Sequence, residues 1–238
     1  MSTILLRMRA PLQSYGISSR FAVRDTTQEP TKSAIVGMIL SAAGIDREDA
    51  NDITLPFNTV RLNELKMAIR VDREGVMEQD YHVVGGGKFN GEDYYVLNAK
   101  EDSEKKNVIT KRFYIADANF IAALEHSDEK FIKEIIHVLK NPHRPLFLGR
   151  KSFFPSRPIL ESSNIFKEDC NEILKKYPYY IFDSVKIPEK LRLIYETDSF
   201  LGHVRKDIVL GYKRQAWHYY QRNVLIDYVE TDKLEKQE

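Results

Sequence analysis

One helix organises the sequence: Pro30-Thr31-Lys32-Ser33-Ala34-Ile35-Val36-Gly37-Met38-Ile39-Leu40-Ser41-Ala42-Ala43-Gly44. Its apolar residues fill about three helical turns. Thr31 is a favourable N-cap, and Gly44 suits the left-handed position that follows a helix. Thr31, Lys32 and Ser33 also place donors at the first turn, where free N–H groups and the helix dipole favour an anion. Taken alone, the stretch favours a capped core helix with a polar first turn; its neighbours shift the balance towards an anion site.

Strand patterns surround this helix. Residues 4–9 and 65–72 alternate between two kinds of side chain, as strands with two different faces do. Residues 113–123 and 145–149 predict two more strands. Asp46 predicts the start of a short acidic helix ending near Ile53, and Ser127 the cap of a longer helix that ends at Asn141. With the short helix left out, the predicted elements follow in the order strand, helix, strand, strand, helix, strand. This is the order of a ferredoxin-like (RRM-like) split βαβ fold.

Two further regions complete the predicted architecture, which belongs to the α+β class. Residues 85–87 are three glycines and residues 100–106 are almost all charged, so we predict a projecting hairpin or flexible insertion over about 83–112. Runs such as 190–195 and 219–229 predict a smaller β-rich region. The interpretation is a ferredoxin-like domain over 1–152, followed by a β-rich C-terminal region over 153–238.

Charge distribution points to a local polyanion site. The formal net charge of the 238-residue chain is only +1, so no global field attracts nucleic acid. Two acid-free stretches, 1–24 and 141–160, nevertheless concentrate cations. If the predicted helices cover one face of the sheet, the arginines Arg7, Arg9 and Arg70 point to the other. An open, cationic sheet face is a plausible RNA platform.

Several classes of catalytic site find little support. Cys170 is the only cysteine, which excludes an intrachain disulfide and a cysteine-rich zinc site. The histidines lack metal-ligand spacing, and no Gly-x-Ser-x-Gly motif is present. The segment Gly149-Arg150-Lys151-Ser152 lacks the glycine that a P-loop has before its lysine, so it is either a phosphate-holding basic loop or a solvated turn. We expect no metal and no cofactor. The absence of a signal-peptide or spanning pattern predicts a cytoplasmic protein that does not enter a membrane.

Several motifs follow one another along nearly the whole chain: Leu5–Gly16, Pro30–Gly37, Val71–Arg73 with Asp80–Val84, Tyr114–Ala118, Pro145–Ser152, and Arg214 with Arg222-Asn223-Val224. Together and in this order they resemble one family, the CasD-type subunits (RAMP superfamily) of type I-E CRISPR Cascade complexes. Tyr15 stands where that family has a tryptophan, a change that keeps an aromatic ring for stacking.

The resemblance implies a non-catalytic subunit for antiviral defence that grips the 5′ handle of CRISPR RNA. It would cap a filament of CasC-type backbone subunits, contact a CasA-type large subunit and meet target DNA only indirectly, through guide pairing. The insertion would be a thumb, with Lys105, Lys106, Lys111 and Arg112 as its cations. The RNA-binding candidates are Arg7, Arg9, Gln13, Tyr15, Arg20, Arg24, Thr31, Lys32, Ser33, Arg150, Lys151 and Ser152.

Two alternatives remain open from the sequence. A metal-independent endoribonuclease that processes precursor CRISPR RNA needs a base near a 2′-hydroxyl and a cation for the phosphorane. Tyr15, His143 and Lys151 are candidates for those roles, but the sequence does not show that they converge. A general RNA-binding module outside any complex is the third hypothesis; the local rather than overall basic charge makes it less attractive.

Overall fold

The computed structural model describes residues 1–17, 22–94, 96, 107–180, 187–211 and 218–237. The first half contains β1 (Ser2–Arg9), β2 (Leu12–Gln13), β3 (Val23–Arg24), α1 (Lys32–Ala42), α2 (Thr59–Asn63), β4 (Lys66–Arg73), β5 (Val76–Val84), β6 (Gly87–Phe89), β7 (Glu92–Tyr94) and β8 (Val108–Ala116). The second half contains β9 (Asn119–His126), α3 (Glu129–Lys140), α4 (Cys170–Lys176), β10 (Tyr179–Tyr180), β11 (Lys190–Glu196), β12 (His203–Gly211), β13 (His218–Glu230), a 3-10 turn (Thr231–Lys233) and β14 (Lys236–Gln237).

A six-stranded antiparallel sheet forms the centre, in the order β1-β9-β4-β11-β13-β12. The mixture of this sheet with helices confirms the α+β class. The predicted β-rich runs at 190–195 and 219–229 form β11 and β13, which extend the sheet begun by the N-terminal strands. The ferredoxin-like assignment and the boundary at residue 152 stay predictions. None of the helices in the described ranges is long and apolar enough to cross a membrane.

Local signals placed α1 well. Thr31 caps it by accepting a hydrogen bond from the Ala34 N–H, and Gly44 follows it with φ of 77°. The second predicted helix is α3, but its cap is Asp128 rather than Ser127, because the Asp128 carboxylate accepts from two first-turn N–H groups. The predicted helix over 46–53 is a series of turns instead.

The predicted strand at 145–149 is wrong: this segment is irregular. The free edge of β1 is lined instead by residues 156–166. The Arg7 N–H donates to the Ile159 carbonyl at 2.7 Å, and the Glu161 N–H donates to the Leu5 carbonyl at 3.0 Å. The edge of β1 that a fourth ferredoxin-like strand at 145–149 would join is therefore occupied by this later segment.

The insertion is a long hairpin of β5 and β8, which pair from Val76–Ala116 to Val84–Val108. It therefore begins nearer to residue 76 than to the predicted 83. The predicted single strand at 113–123 is divided at Asp117, whose φ is 56°, so that β8 joins the hairpin and β9 the central sheet. β2 and β3 pair with β8 at the hairpin base.

Both faces of the central sheet are covered. α1 and α3 pack on one face, while α4 packs on the other with apolar residues of β9 and β11. Arg7 and Arg70 are consequently fully buried, and both bind the carboxylate of Asp72 at 2.7 Å. The prediction that they face an open RNA platform is wrong, because the C-terminal half of the chain covers that face. Arg9 is half-buried at the end of β1.

Candidate nucleic-acid interface

A cleft of about 1910 Å³ opens between α1, the loop over 145–151 and the base of the hairpin. It brings together the two predicted phosphate-binding segments, since Thr31 and Ser33 at the start of α1 line it together with Gly149–Lys151. One end is rich in cations, contributed by Arg24, Arg112, Arg150 and Lys151. Arg112, predicted only as a thumb cation, is therefore part of this cleft.

The 149–151 loop is fixed in place by its backbone. Gly149 has φ of 104°, and a Cβ there would lie 1.9 Å from the Ser14 carbonyl oxygen, so only glycine fits. The Ser14 N–H donates to the Leu148 carbonyl at 3.0 Å. The Arg150 guanidinium donates to the Phe113 carbonyl of β8 at 2.7 Å. These contacts attach the loop to the hairpin base and present Arg150 to the cleft.

The side-chain charges of Arg24, Arg112 and Arg150 act on one another. The parallel pairing of β3 and β8 puts Arg24 beside Arg112. Burial, and then the charges of Arg112 and Arg24, lower the pKa of Arg150. The Arg112 Nε atom is buried without a hydrogen-bond acceptor among the residues that the structure describes. A cluster of like charges with unused donor capacity favours an anion, and guanidinium groups match phosphate oxygens well.

Lys32 does not line the cleft. It is buried, with its Nζ 3.0 Å from the Glu196 carboxylate, while its backbone N–H donates to Asp207 Oδ2 at 2.8 Å. Asp207 thus occupies the anion position at the start of α1, and Arg222 in turn binds Asp207 at 2.7 Å. The helix N-terminus does bind an anion, but the anion is an internal carboxylate rather than phosphate.

Gln13 is also internal, and Tyr15 is a buried residue of the cleft lining. Gln13 donates to the Ala118 carbonyl at 2.7 Å and accepts from the Tyr15 hydroxyl at 2.6 Å. The Tyr15 ring is only 2% exposed and packs edge-on against Phe120, so it offers no ring face for base stacking. Burial raises the pKa of Tyr15 well above its usual value, which disfavours it as a base for RNA cleavage.

The remaining candidates are scattered. Ser152 is exposed next to the cleft, and Lys111 is exposed on β8. Arg20, Lys105 and Lys106 lie outside the described residues. At the other end of the cleft, acidic residues 46, 48 and 49 accompany Arg144, which binds Asp46 at 2.8 Å. Within the described ranges, no group of three histidine, cysteine or carboxylate residues is placed to hold a metal ion.

Sequence reasoning missed some lining residues. Phe147 and Tyr219 reach the cleft from the irregular 145–148 segment and from β13. Neither carries a local signal for this role, because tertiary packing alone brings residue 219 to α1.

Comparison with known proteins agrees with this architecture. The family model described as "CRISPR-associated protein (Cas_Cas5)" matches residues 3–225. The chain belongs to the Cas5 family of CRISPR-associated proteins. It is 30% identical over 165 residues to "CRISPR system Cascade subunit CasD" of Escherichia coli (strain K12), which covers 66% of this chain and 69% of that relative. The resemblance to CasD-type subunits is confirmed.

Solved structures extend the similarity to almost the whole chain. A structure described as "Crystal structure of Cas protein" superposes with a TM-score of 0.72 at 30% identity, covering 99% of this chain and 98% of that one. A chain of a "CRISPR RNA-guided surveillance complex" superposes with a TM-score of 0.77 at 30% identity, covering 98% of this chain and 93% of that one.

Proposed function

We propose that this Cas5-family chain is the CasD-type subunit of a Cascade surveillance complex in antiviral defence. It holds the 5′ handle of CRISPR RNA in the cleft and caps the filament of CasC-type backbone subunits, next to a CasA-type large subunit. The observation that carries the proposal is the cationic end of the cleft, where Arg24, Arg112 and Arg150 converge from β3, β8 and the 149–151 loop. Phosphate contacts of this kind hold a nucleic acid in position.

The geometry of the hairpin supports a protein neighbour as well. Cross-strand partners lie on the same face, so one face of the β3–β8–β5 sheet presents Arg24, Arg112 and Asp80, and the opposite face presents Lys111 among apolar residues. Those apolar residues are between 45% and 58% exposed: Val23, Met77, Tyr81, Val83 and Ile109. Exposed apolar patches are typical of protein interfaces. The cleft-side face is therefore proposed to meet RNA, and the apolar face a backbone subunit.

A binding role without catalysis fits the cleft best. The hydroxyl of Tyr15 is engaged inside the core by Gln13, so it is not available to a 2′-hydroxyl. His143 packs its ring against Gly44, where a Cβ would lie 2.7 Å from the imidazole. Lys151 lies on the exposed loop. Of the groups considered for ribonuclease chemistry, Tyr15 is thus buried in the cleft lining, Lys151 is exposed on it, and His143 is packed against the end of α1.

The test is RNA affinity across a salt series. We expect the wild-type chain to bind the 5′ handle, and Arg112→Gln with Arg150→Gln to weaken binding. For single-stranded RNA, each lost phosphate contact lowers the slope of log affinity against log salt by about 0.7. Lys133→Gln is the matched control, because Lys133 is an exposed lysine of α3 paired with Glu129.

Two results would contradict the proposal. An unchanged affinity and slope in the double variant would remove these arginines from the RNA site. Metal-free cleavage of labelled repeat RNA by the pure wild-type protein would favour the endoribonuclease instead.

A further inference from the structure

A carboxylate on the hairpin beside the cationic end of the cleft, that of Asp80, has a position with a consequence for RNA affinity. In the strand register, Asp80 of β5 lies opposite Arg112 of β8, and Arg112 lies beside Arg24 of β3. Because paired residues share a face, the carboxylate and the two guanidinium groups lie on the same side of the hairpin base. Arg150 reaches this side from the adjoining loop through its bond to the Phe113 carbonyl.

Asp80 only partly compensates this cluster. Its carboxylate is 42% exposed and lies 3.4 Å from His82 Nε2. It also shares a hydrogen bond with Tyr114, the residue that faces Glu78. The charge of Asp80 favours the protonated form of Arg150, whereas Arg112 and Arg24 oppose it. Within the described ranges the buried Arg112 Nε still lacks an acceptor, so the internal carboxylate leaves donor capacity unused.

A phosphate group suits this environment better than the carboxylate alone. It has more acceptor oxygens, and the planar guanidinium groups bind such oxygens in pairs. A bound phosphate would, however, lie close to the negative charge of Asp80. The same carboxylate that reduces repulsion among the arginines in the free protein therefore opposes the ligand.

We propose that Arg24, Arg112 and Arg150 hold one phosphate group of the bound RNA, and that Asp80 is an internal competitor that limits the affinity of this site. The proposal deepens the proposed function and rests on it. It predicts opposite signs for two measurements: removal of the Asp80 charge raises the affinity for RNA and lowers the free energy of unfolding of the free protein. If Asp80 had a purely structural role, removing its charge would lower both RNA affinity and stability. If it contacted RNA bases, removing its charge would lower RNA affinity.

The experiment compares Asp80→Asn with Glu78→Gln, a matched variant two residues away on the same face of β5. Handle RNA affinity is measured at low and physiological salt, and the free energy of unfolding is measured by urea titration. Removing one charge from a solvent-accessible site near the bound phosphate is expected to tighten binding about 3- to 10-fold at low salt, and less at higher salt. Glu78→Gln is expected to change affinity by less than about 2-fold, since Glu78 lies opposite Tyr114 in the strand register rather than opposite an arginine.

Coupling gives the second readout. Substitutions of groups that contact the same ligand have effects on affinity that are not additive. The gain in RNA affinity from Asp80→Asn is therefore expected to shrink when Arg150→Gln is already present. Unchanged or weaker binding by a folded Asp80→Asn variant would overturn the proposal. So would a gain of the same size with and without Arg150. If Asp80→Asn does not fold, Arg24→Gln provides the test: it is exposed on β3, and wild-type affinity in that variant would overturn the three-arginine site.

Failure of the proposed function is distinguishable from failure of this inference. Wild-type protein that binds handle RNA no better than an unrelated RNA of equal length removes the handle-binding role. The phosphate site is then tested with sodium pyrophosphate against sodium chloride at equal ionic strength. A rise in the unfolding midpoint that is lost in Arg112→Gln supports the site, and no rise in the wild type overturns it.

Discussion

Two groups of arginines in this molecule use the same side chain in opposite ways. Arg7 and Arg70 are fully buried and share the carboxylate of Asp72, and Arg7 also binds Glu161 at 2.8 Å. Arg112 and Arg150 stand beside each other at the cleft, and in the described part of the chain the Nε atom of Arg112 has no acceptor. What separates a structural cation from a binding cation is therefore the set of acceptors around it rather than its residue type.

The buried group also connects distant parts of the chain. Arg70 donates to the carbonyls of Leu174, Tyr177 and Pro178, which lie at the end of α4. Arg7 reaches Glu161 in the segment that lines the edge of β1. The two arginines thus join the central sheet to the C-terminal half, while the cleft arginines join the hairpin, β3 and the 149–151 loop around an open space.

The largest expected effect is on the buried group. Asp72→Asn removes the charge shared by Arg7 and Arg70 and leaves buried guanidinium charge uncompensated, which typically costs about 3–5 kcal/mol. Urea unfolding is the measurement, and Asp46→Asn is the control, since the Asp46 side chain is 69% exposed in its pair with Arg144. The control is expected to change stability by less than about 1 kcal/mol. A stability loss of similar size in both variants would erase the distinction between the two groups.

An intermediate effect is expected at the start of α1. Burial alone would raise the pKa of Asp207, but its hydrogen bonds and ion pair with Arg222, and the Lys32 N–H, lower it below its usual value. The ionised carboxylate therefore stabilises the fold at pH values above its unfolded pKa of about 3.9, and this contribution is lost as the pH falls through the lowered folded value.

Asp207→Asn is the test of this second effect. Since hydrogen bonds to charged groups contribute about 1.5–3 kcal/mol each, we expect a loss of about 2–3 kcal/mol at pH 7. The difference between wild type and variant should narrow below about pH 4. Unfolding titrations at pH 7, 5 and 3 provide the comparison; a difference independent of pH would contradict an ionised cap at this helix.

Local signals explain what the sequence predicted correctly. Thr31 and Gly44 mark the ends of α1 through hydrogen bonds and backbone angles within a few residues, and the alternation over 65–72 matches β4. The α+β class follows from the same kind of information. α4 and β12 were missed, because weaker local patterns are decided by what packs against them.

The errors about the binding residues share one physical cause: partners far away in the sequence. Alternation shows that Arg7 and its neighbours belong to two faces, but Glu161, which helps bury Arg7, is 154 residues away. The donors at the start of α1 do bind an anion, yet that anion is Asp207, 175 residues from Lys32. The positions of Arg24, Arg112 and Arg150 in one cleft depend on strand pairing that no single segment encodes.

The smallest expected effect on stability is at the cleft arginines, and it separates them most clearly from the buried arginines. Arg24 is exposed on β3 and takes part in the like-charged cluster with Arg112 and Arg150. Its replacement by Gln removes a mutually repelling charge, and exposed substitutions of this kind usually change stability by less than about 0.5 kcal/mol. RNA affinity should nevertheless fall, with a salt slope lower by about 0.7. Urea unfolding and a salt series on the same preparation give both values. A loss of stability comparable to that of Asp72→Asn would place Arg24 among the structural cations, whereas unchanged stability with weakened binding is the result expected of a cation whose acceptor is the RNA.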